Sequence, residues 1–301
     1  MANPSFLSQQ LWKAHKRGWV VALTVLLAAT SLVKENATNL QISLLTIPEH
    51  APFDGTVYPI QQVPDWVNAT PIEREMNFND FPISKRVDIP SYDTARLAAD
   101  STLLTRGNPY DDHTRVMQVT YSVPYAGSYK LDGRENAGSH PGVDIKALAG
   151  TPVYSVMNGV VEKVSYSNAG FGNLIVVRHN DVPTLENPEQ KTTLHAGYAH
   201  LKDIFVTDGE VVRKGQMIGT VGMTGTATTN HVHFQIDRHE APWHLYWPFT
   251  TAEANQVGGF WAAINTGLNQ QKIFENTINP IKYVQKYLDA GAAVATEPEV
   301  D

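Results

Sequence analysis

Residues 230–237 read NHVHFQID, and the way this stretch is built decides the fold. As a β-strand it sends His231, His233 and Gln235 to one face and Val232, Phe234 and Ile236 to the other. One face packs a core, and the other presents two imidazoles side by side. Working outward, the texture on the N-terminal side is short β-branched runs separated by glycine. Strands are expected at 174–178, 211–212, 217–221 and 231–237, with a hairpin through Asn158 and Gly159 between two apolar alternations. The polar stretch between His179 and Tyr198 reads as an exposed loop. This spacing predicts an antiparallel, mainly β domain over 116–249.

Composition sets the outer bounds. The chain has 301 residues, 42% hydrophobic and 18% charged, which is ordinary globular material. Its net charge of −7, without a Lys/Arg cluster, argues against nucleic acid as a partner. There is no cysteine, so disulfides and thiolate metal sites are excluded, and any metal must be held by nitrogen and oxygen.

Toward the N-terminus, Lys13, His15, Lys16 and Arg17 precede an uncharged apolar run over 18–33. A basic flank before such a run is the pattern of a secretory element, so 1–33 is expected to be a cytoplasmic stub followed by a signal peptide or transmembrane helix. The seventeen residues ahead of the run favour an anchor over a cleaved signal. Either way the remainder is placed outside the cytoplasm, in the cell envelope or secreted. Residues 34–115 are proline-rich and are expected to form an extended arm with short strands or turns. Phe53, Tyr58, Trp66, Phe78 and Phe81 give that arm something to pack with. Residues 250–301 turn helical: Thr250 and Glu253 have capping-box spacing, and Asn279–Pro280 is a cap and first-turn pair.

Three segments carry the chemistry. In SHPGVDIK, Pro141 and Gly142 disfavour a helix, so His140 and Asp144 should share a face of an extended segment, with the small Gly142 leaving room for an ion or substrate. His200 in GYAHLK and the HVH pair supply three further imidazoles. A catalytic zinc needs three protein ligands and an open position, and His140, Asp144 and one histidine of the pair provide that count. His200 and the other member of the pair are left to exchange protons or stabilise an oxyanion. No HExxH occurs, which excludes a helical zincin.

HPGVD, NGVV, FGNLIVVRH, YAHL, VRKGQMIGTVGMTG and NHVHF occur in the order and spacing of the M23, or lysostaphin/LytM-like, zinc metallopeptidases, and the chain resembles that family over about 116–237. The resemblance implies an antiparallel domain with the metal in a groove on one sheet. It implies His140, Asp144 and His233 as Zn2+ ligands, His200 and His231 as the catalytic pair, and peptidoglycan stem or cross-bridge peptides as substrate. Gln235 stands where such enzymes often carry glutamate, and the aromatics of RHEAPWHLYWPF lie beyond the resemblance, where packing against the C-terminal helices is favoured over a substrate platform. His50, His113, His179 and His195 are expected at the surface or in local hydrogen bonds, and Asn108, Asp111 or His113 are candidates to block the groove from upstream. A catalytically silent wall-binding or adaptor protein is the alternative on the same fold. A biotinyl-type carrier domain would leave five site residues unexplained.

Overall fold

A computed structural model of the chain describes residues 52–98 and 111–288. The apolar run at 18–33, Asn108 and His50 lie outside them. Among the described residues no helix is long and apolar enough to cross a membrane.

The strands in chain order are β1 (Gln62–Pro64), β2 (Arg86–Asp88), β3 (Tyr121–Val123), β4 (Val143–Lys146), β5 (Pro152–Tyr154), β6 (Gly159–Ser165) and β7 (Leu174–Pro183). They continue with β8 (Lys191–Ala199), β9 (Leu201–Ile204), β10 (Val211–Val212), β11 (Met217–Val221), β12 (His231–Arg238) and β13 (Thr277–Ile278). Two short helices, α1 (Thr94–Leu97) and α2 (Asp112–Thr120), precede the main sheet. Four follow it: α3 (Thr251–Gln256), α4 (Phe260–Asn265), α5 (Gln270–Asn276) and α6 (Pro280–Lys286). The main sheet runs β10-β6-β7-β8-β12-β4-β3, with β13 also on β12, and a smaller sheet runs β5-β11-β9. The strand pairings in both sheets are antiparallel.

β12 is central because both of its faces are covered. Val232, Phe234 and Ile236 are fully buried in the core, each contributing about 1.5–3 kcal/mol of burial. The opposite face carries His231, His233, Gln235 and Asp237, all buried as well. β4 and β8 flank the strand in a register that sets Asp144 and Ala199 opposite His233, Gly197 opposite Gln235 and His195 opposite Asp237.

Two expectations are corrected. Asn158–Gly159 does not close a hairpin: β5 pairs with β11 and β6 with β7 and β10, so this dipeptide is a corner between two sheets. The Asn158 side chain ties that corner to Pro52 O and to the Lys214 N–H instead of closing a two-residue turn. The stretch between His179 and Tyr198 is mostly strand, because β7 and β8 keep pairing as far as Pro183 and Lys191 and leave only a short turn. Of the two places expected for His179 and His195, the surface or a hydrogen bond, both take the second and are buried. His179 donates Nδ1–H to Asn158 O at 2.8 Å.

The segment upstream of the sheet contributes short 3₁₀ turns and the β1–β2 pair. Trp66, Phe78 and Phe81 enter the same core as β12, and the Trp66 indole donates to Thr120 Oγ1 at 3.1 Å. At the other end, both expected caps are present: the Thr250/Glu253 capping box opens α3, and Asn279 caps α6 with Pro280 in its first turn.

Candidate active site

The site forms where β12 lies beside β4. His140 Nε2 is 2.9 Å from His233 Nδ1 and 3.1 Å from Asp144 Oδ1, and His233 Nδ1 is 3.0 Å from the same carboxylate oxygen. Three lone-pair-bearing atoms thus converge in a near-equilateral triangle, all on buried residues. Without a cation, a proton on one of the ring nitrogens must hold such a triangle together, whereas a cation takes all three lone pairs at once. Ligands about 2.0–2.2 Å from a tetrahedral zinc are separated by roughly 3.3 Å, so this donor set fits a metal. Burial opposes ionisation of Asp144, but the surrounding His140, His231 and His233 outweigh it and hold the carboxyl well below its usual range.

Each ligand has a local reason for its place. His140 sits in the loop before β4, and this loop is held by the C-terminal helices: Ser139 N donates to Ile264 O at 3.0 Å and Gln270 Nε2 to Gly138 O at 2.6 Å. Gly142 is required by close packing, since a Cβ there would lie 2.9 Å from His233 Nε2 and 2.6 Å from Phe234 O. The space beside it is therefore filled by the His233 ring and not by an ion or substrate. The other nitrogen of that ring, Nε2, meets Gln235 Oε1 at 2.9 Å.

His231 and His200 stand together at the open side, with ring centroids 4.8 Å apart. Both donate Nδ1–H to a backbone carbonyl, His231 to Thr229 and His200 to Thr224, each at 2.8 Å. Their Nε2 atoms are left as bases, and that of His231 is 3.7 Å from Asp144 Oδ1. His200 joins β8 to β9 at a φ of +61°, the left-handed region, a strain on the order of 1 kcal/mol. Burial, with the neighbouring His231 and His233, lowers its pKa to about 3, so it is neutral at physiological pH.

Sequence reasoning did not single out Tyr129, Phe260 or Trp261, which with Trp247 and Phe171 complete a ring of aromatic contacts that closes on His140 and His233. The path runs from His140 through Tyr129, Trp261, Phe260, Trp247 and Phe171 to His233, with successive centroids 4.8–5.7 Å apart. They surround a cavity of about 470 Å³ that reaches His200 and His233 and has neutral Thr226, Thr251 and Asn255 on its walls. Trp247 belongs to the aromatic tail expected to pack on the C-terminal helices, and it does so against Phe260 while lining the cavity. Burial and the nearby Asp144 carboxylate hold the Tyr129 hydroxyl well above its ordinary pKa. Asp111 caps α2 and pairs with Arg96, and His113 is exposed; neither lines the cavity.

Residues 138–244 match the family model described as peptidase family M23. The chain carries an M23 peptidase domain. Peptidoglycan DD-endopeptidase ShyC of Vibrio cholerae is 38% identical over 140 residues, covering 43% of this chain and 30% of the relative. Murein hydrolase activator NlpD of Salmonella typhimurium is 28% identical over 143 residues, covering 48% of this chain and 35% of the relative. The chain therefore spans about a third of the length of these two proteins. Among solved structures, the catalytic domain of lysostaphin from Staphylococcus simulans is 33% identical, with 40% of this chain and 77% of that one covered at a TM-score of 0.30. The M23 match ends at residue 244, so Trp247, Phe249, Phe260 and Trp261 on the cavity wall lie beyond it.

Proposed function

We propose that this protein is a zinc-dependent endopeptidase that hydrolyses peptide bonds in peptidoglycan stem or cross-bridge peptides. The observation that carries the reading is the complete set of five side chains: a triangle of His140, Asp144 and His233, with the bare Nε2 atoms of His200 and His231 beside it.

His140 Nε2, Asp144 Oδ1 and His233 Nδ1 would hold the metal. A zinc ion there supplies Lewis acidity toward a water molecule and toward the scissile carbonyl. The imidazoles of His200 and His231 are arranged to take the proton of the attacking water on Nε2 as the C–O bond forms. They return it to the departing amine nitrogen as the C–N bond breaks. The backbone carbonyls on their Nδ1–H groups keep both rings in the tautomer this requires. Among the described residues the cavity wall carries no Asp, Glu, Lys or Arg, so it suits an uncharged peptide segment and disfavours a charged one, which would lose its hydration unpaired. Such a substrate would be met outside the cytoplasm, with the protein anchored by the apolar run at 18–33 or secreted after that run is cleaved as a signal.

A second reading is an adaptor that binds cell wall without cutting it, suggested by the similarity to a protein named as a hydrolase activator. Both are decided by incubating zinc-loaded full-length protein with peptidoglycan and analysing the products by mass. New amino termini that vanish with a chelator support the endopeptidase. Zinc binding and wall binding without any cleavage product support the adaptor and overturn the proposal.

A further inference from the structure

The hydrogen-bond path from the triangle does not stop at His233. Gln235 and Asp237 follow on the same face of β12 and are both fully buried. The Gln235 side-chain Nε2 donates to Asp237 Oδ1 at 2.5 Å and to Tyr246 O at 2.9 Å. The other Asp237 oxygen accepts from Tyr246 N–H at 2.9 Å and faces His244 Nδ1 at 3.2 Å.

These partners leave little freedom. A carbonyl and an ionised carboxylate only accept, so both hydrogens of the Gln235 amide must point toward Tyr246 O and Asp237. Its Oε1 must then face His233 and can only accept. Nε2 of His233 must therefore carry the ring proton, which leaves Nδ1 as the bare lone pair aimed into the triangle with His140 and Asp144. Each oxygen of Asp237 accepts from a fixed N–H, Oδ1 from the Gln235 amide and Oδ2 from Tyr246, a pattern that the ionised carboxylate satisfies. Burial pushes its carboxyl above the ordinary range, opposed by His244, Gln235 and Tyr246.

We propose that Asp237, acting through Gln235, is the positioning residue that fixes His233 in its metal-binding tautomer. The neutral amide hands on the direction of a carboxylate that stands one hydrogen bond further back. A chain built this way cannot take glutamate at position 235 on its own, because two carboxylates would then meet at 2.5 Å inside the protein. Replacing Asp237 by asparagine at the same time removes that conflict, since the asparagine amide can donate to the carboxylate introduced at position 235.

This rests on the triangle being the metal site, and the experiment separates the two ideas. Zinc affinity of full-length protein is measured by competition with a chromophoric chelator for the wild type, Asp237→Asn, Gln235→Glu and the double variant. Asp237→Asn and Gln235→Glu should each weaken zinc about 10–100-fold, and the double variant should recover to within a few-fold of wild type. In metal-free protein, nitrogen-15 NMR should show His233 protonated at Nε2 in the wild type and mixed between nitrogens in Asp237→Asn. Wild-type affinity in both single variants, or an unchanged His233 tautomer in Asp237→Asn, overturns the proposal. Should Asp237→Asn fail to fold, equal zinc affinity in Gln235→Glu and the double variant overturns it alone. A wild-type protein that binds no zinc defeats the metal-site reading instead, and the NMR result still decides the role of Asp237.

Discussion

Two groups of histidines lie on the same face of the main sheet, and they differ in how their nitrogens are used. At one end His140 and His233 each bring a ring nitrogen to one carboxylate oxygen, with all three atoms within 3.1 Å of one another. Further along, His195, His239 and His244 stack, with His195 and His244 centroids 3.6 Å apart. Four of their six ring nitrogens are engaged with neighbours: His195 Nδ1 with Glu162 at 2.5 Å, His195 Nε2 with His239 Nδ1, and His244 Nδ1 with Asp237. Among the described residues only the first group brings three ligand atoms together. Crowded imidazoles alone do not make a metal site; convergent lone pairs do.

The predictions bear on that contrast. His140→Ala should remove zinc and lower peptidoglycan hydrolysis by at least about 10³-fold, since metal and water activation are lost together. His195→Ala should leave bound zinc at one per chain, as read by elemental analysis, and a loss there would erase the distinction. His200→Ala should keep zinc and lose about 10²–10⁴-fold in kcat, the usual weight of a proton-transfer group. Gly142→Ala should push the His233 ring aside and weaken zinc about tenfold or more, with chelator competition as the check.

A pH effect comes from buried histidines away from the triangle. Burial lowers the pKa of His179 to about 4. Burial first, and then neighbouring His244, lowers that of His195 to about 4 as well. Because the unfolded value is about 6.5, these groups favour the folded state fully above that pH and lose the benefit as pH falls toward 4. His179 alone should account for roughly 2 kcal/mol between pH 8 and pH 5. Urea melts of metal-free protein at the two values measure this, and equal midpoints would contradict it. The smallest effect is expected for Trp261→Ala, a several-fold rise in KM for a peptide substrate with kcat kept.

Much of the site was legible because strand periodicity is local. The alternation in 231–237 places His231 and His233 on one face without knowledge of any partner, and the five polar residues of the site sit in segments whose character shows in the sequence. Pairing was less legible. Asn158–Gly159 has the chemistry of a tight turn, yet the strands on either side chose β11, β7 and β10, which no local pattern announces. The polar residues between His179 and Tyr198 hid two strand extensions whose inward residues, Val182 and Leu194, are spaced by that polarity. Tyr129 and Trp261 meet Trp247 only through the tertiary fold, and their own sequence neighbourhoods give no sign that they will line the same cavity. Gln235 was visible as a departure, but its dependence on Asp237 and Tyr246 needed coordinates.

The central claim is that one histidine cluster, and not the other, holds zinc. Anomalous diffraction at the zinc edge from crystals of the full-length protein tests it most directly. A single peak bounded by His140 Nε2, Asp144 Oδ1 and His233 Nδ1 is the result expected. A peak at His195, His239 and His244, or none within the triangle of protein grown with zinc, would contradict the account.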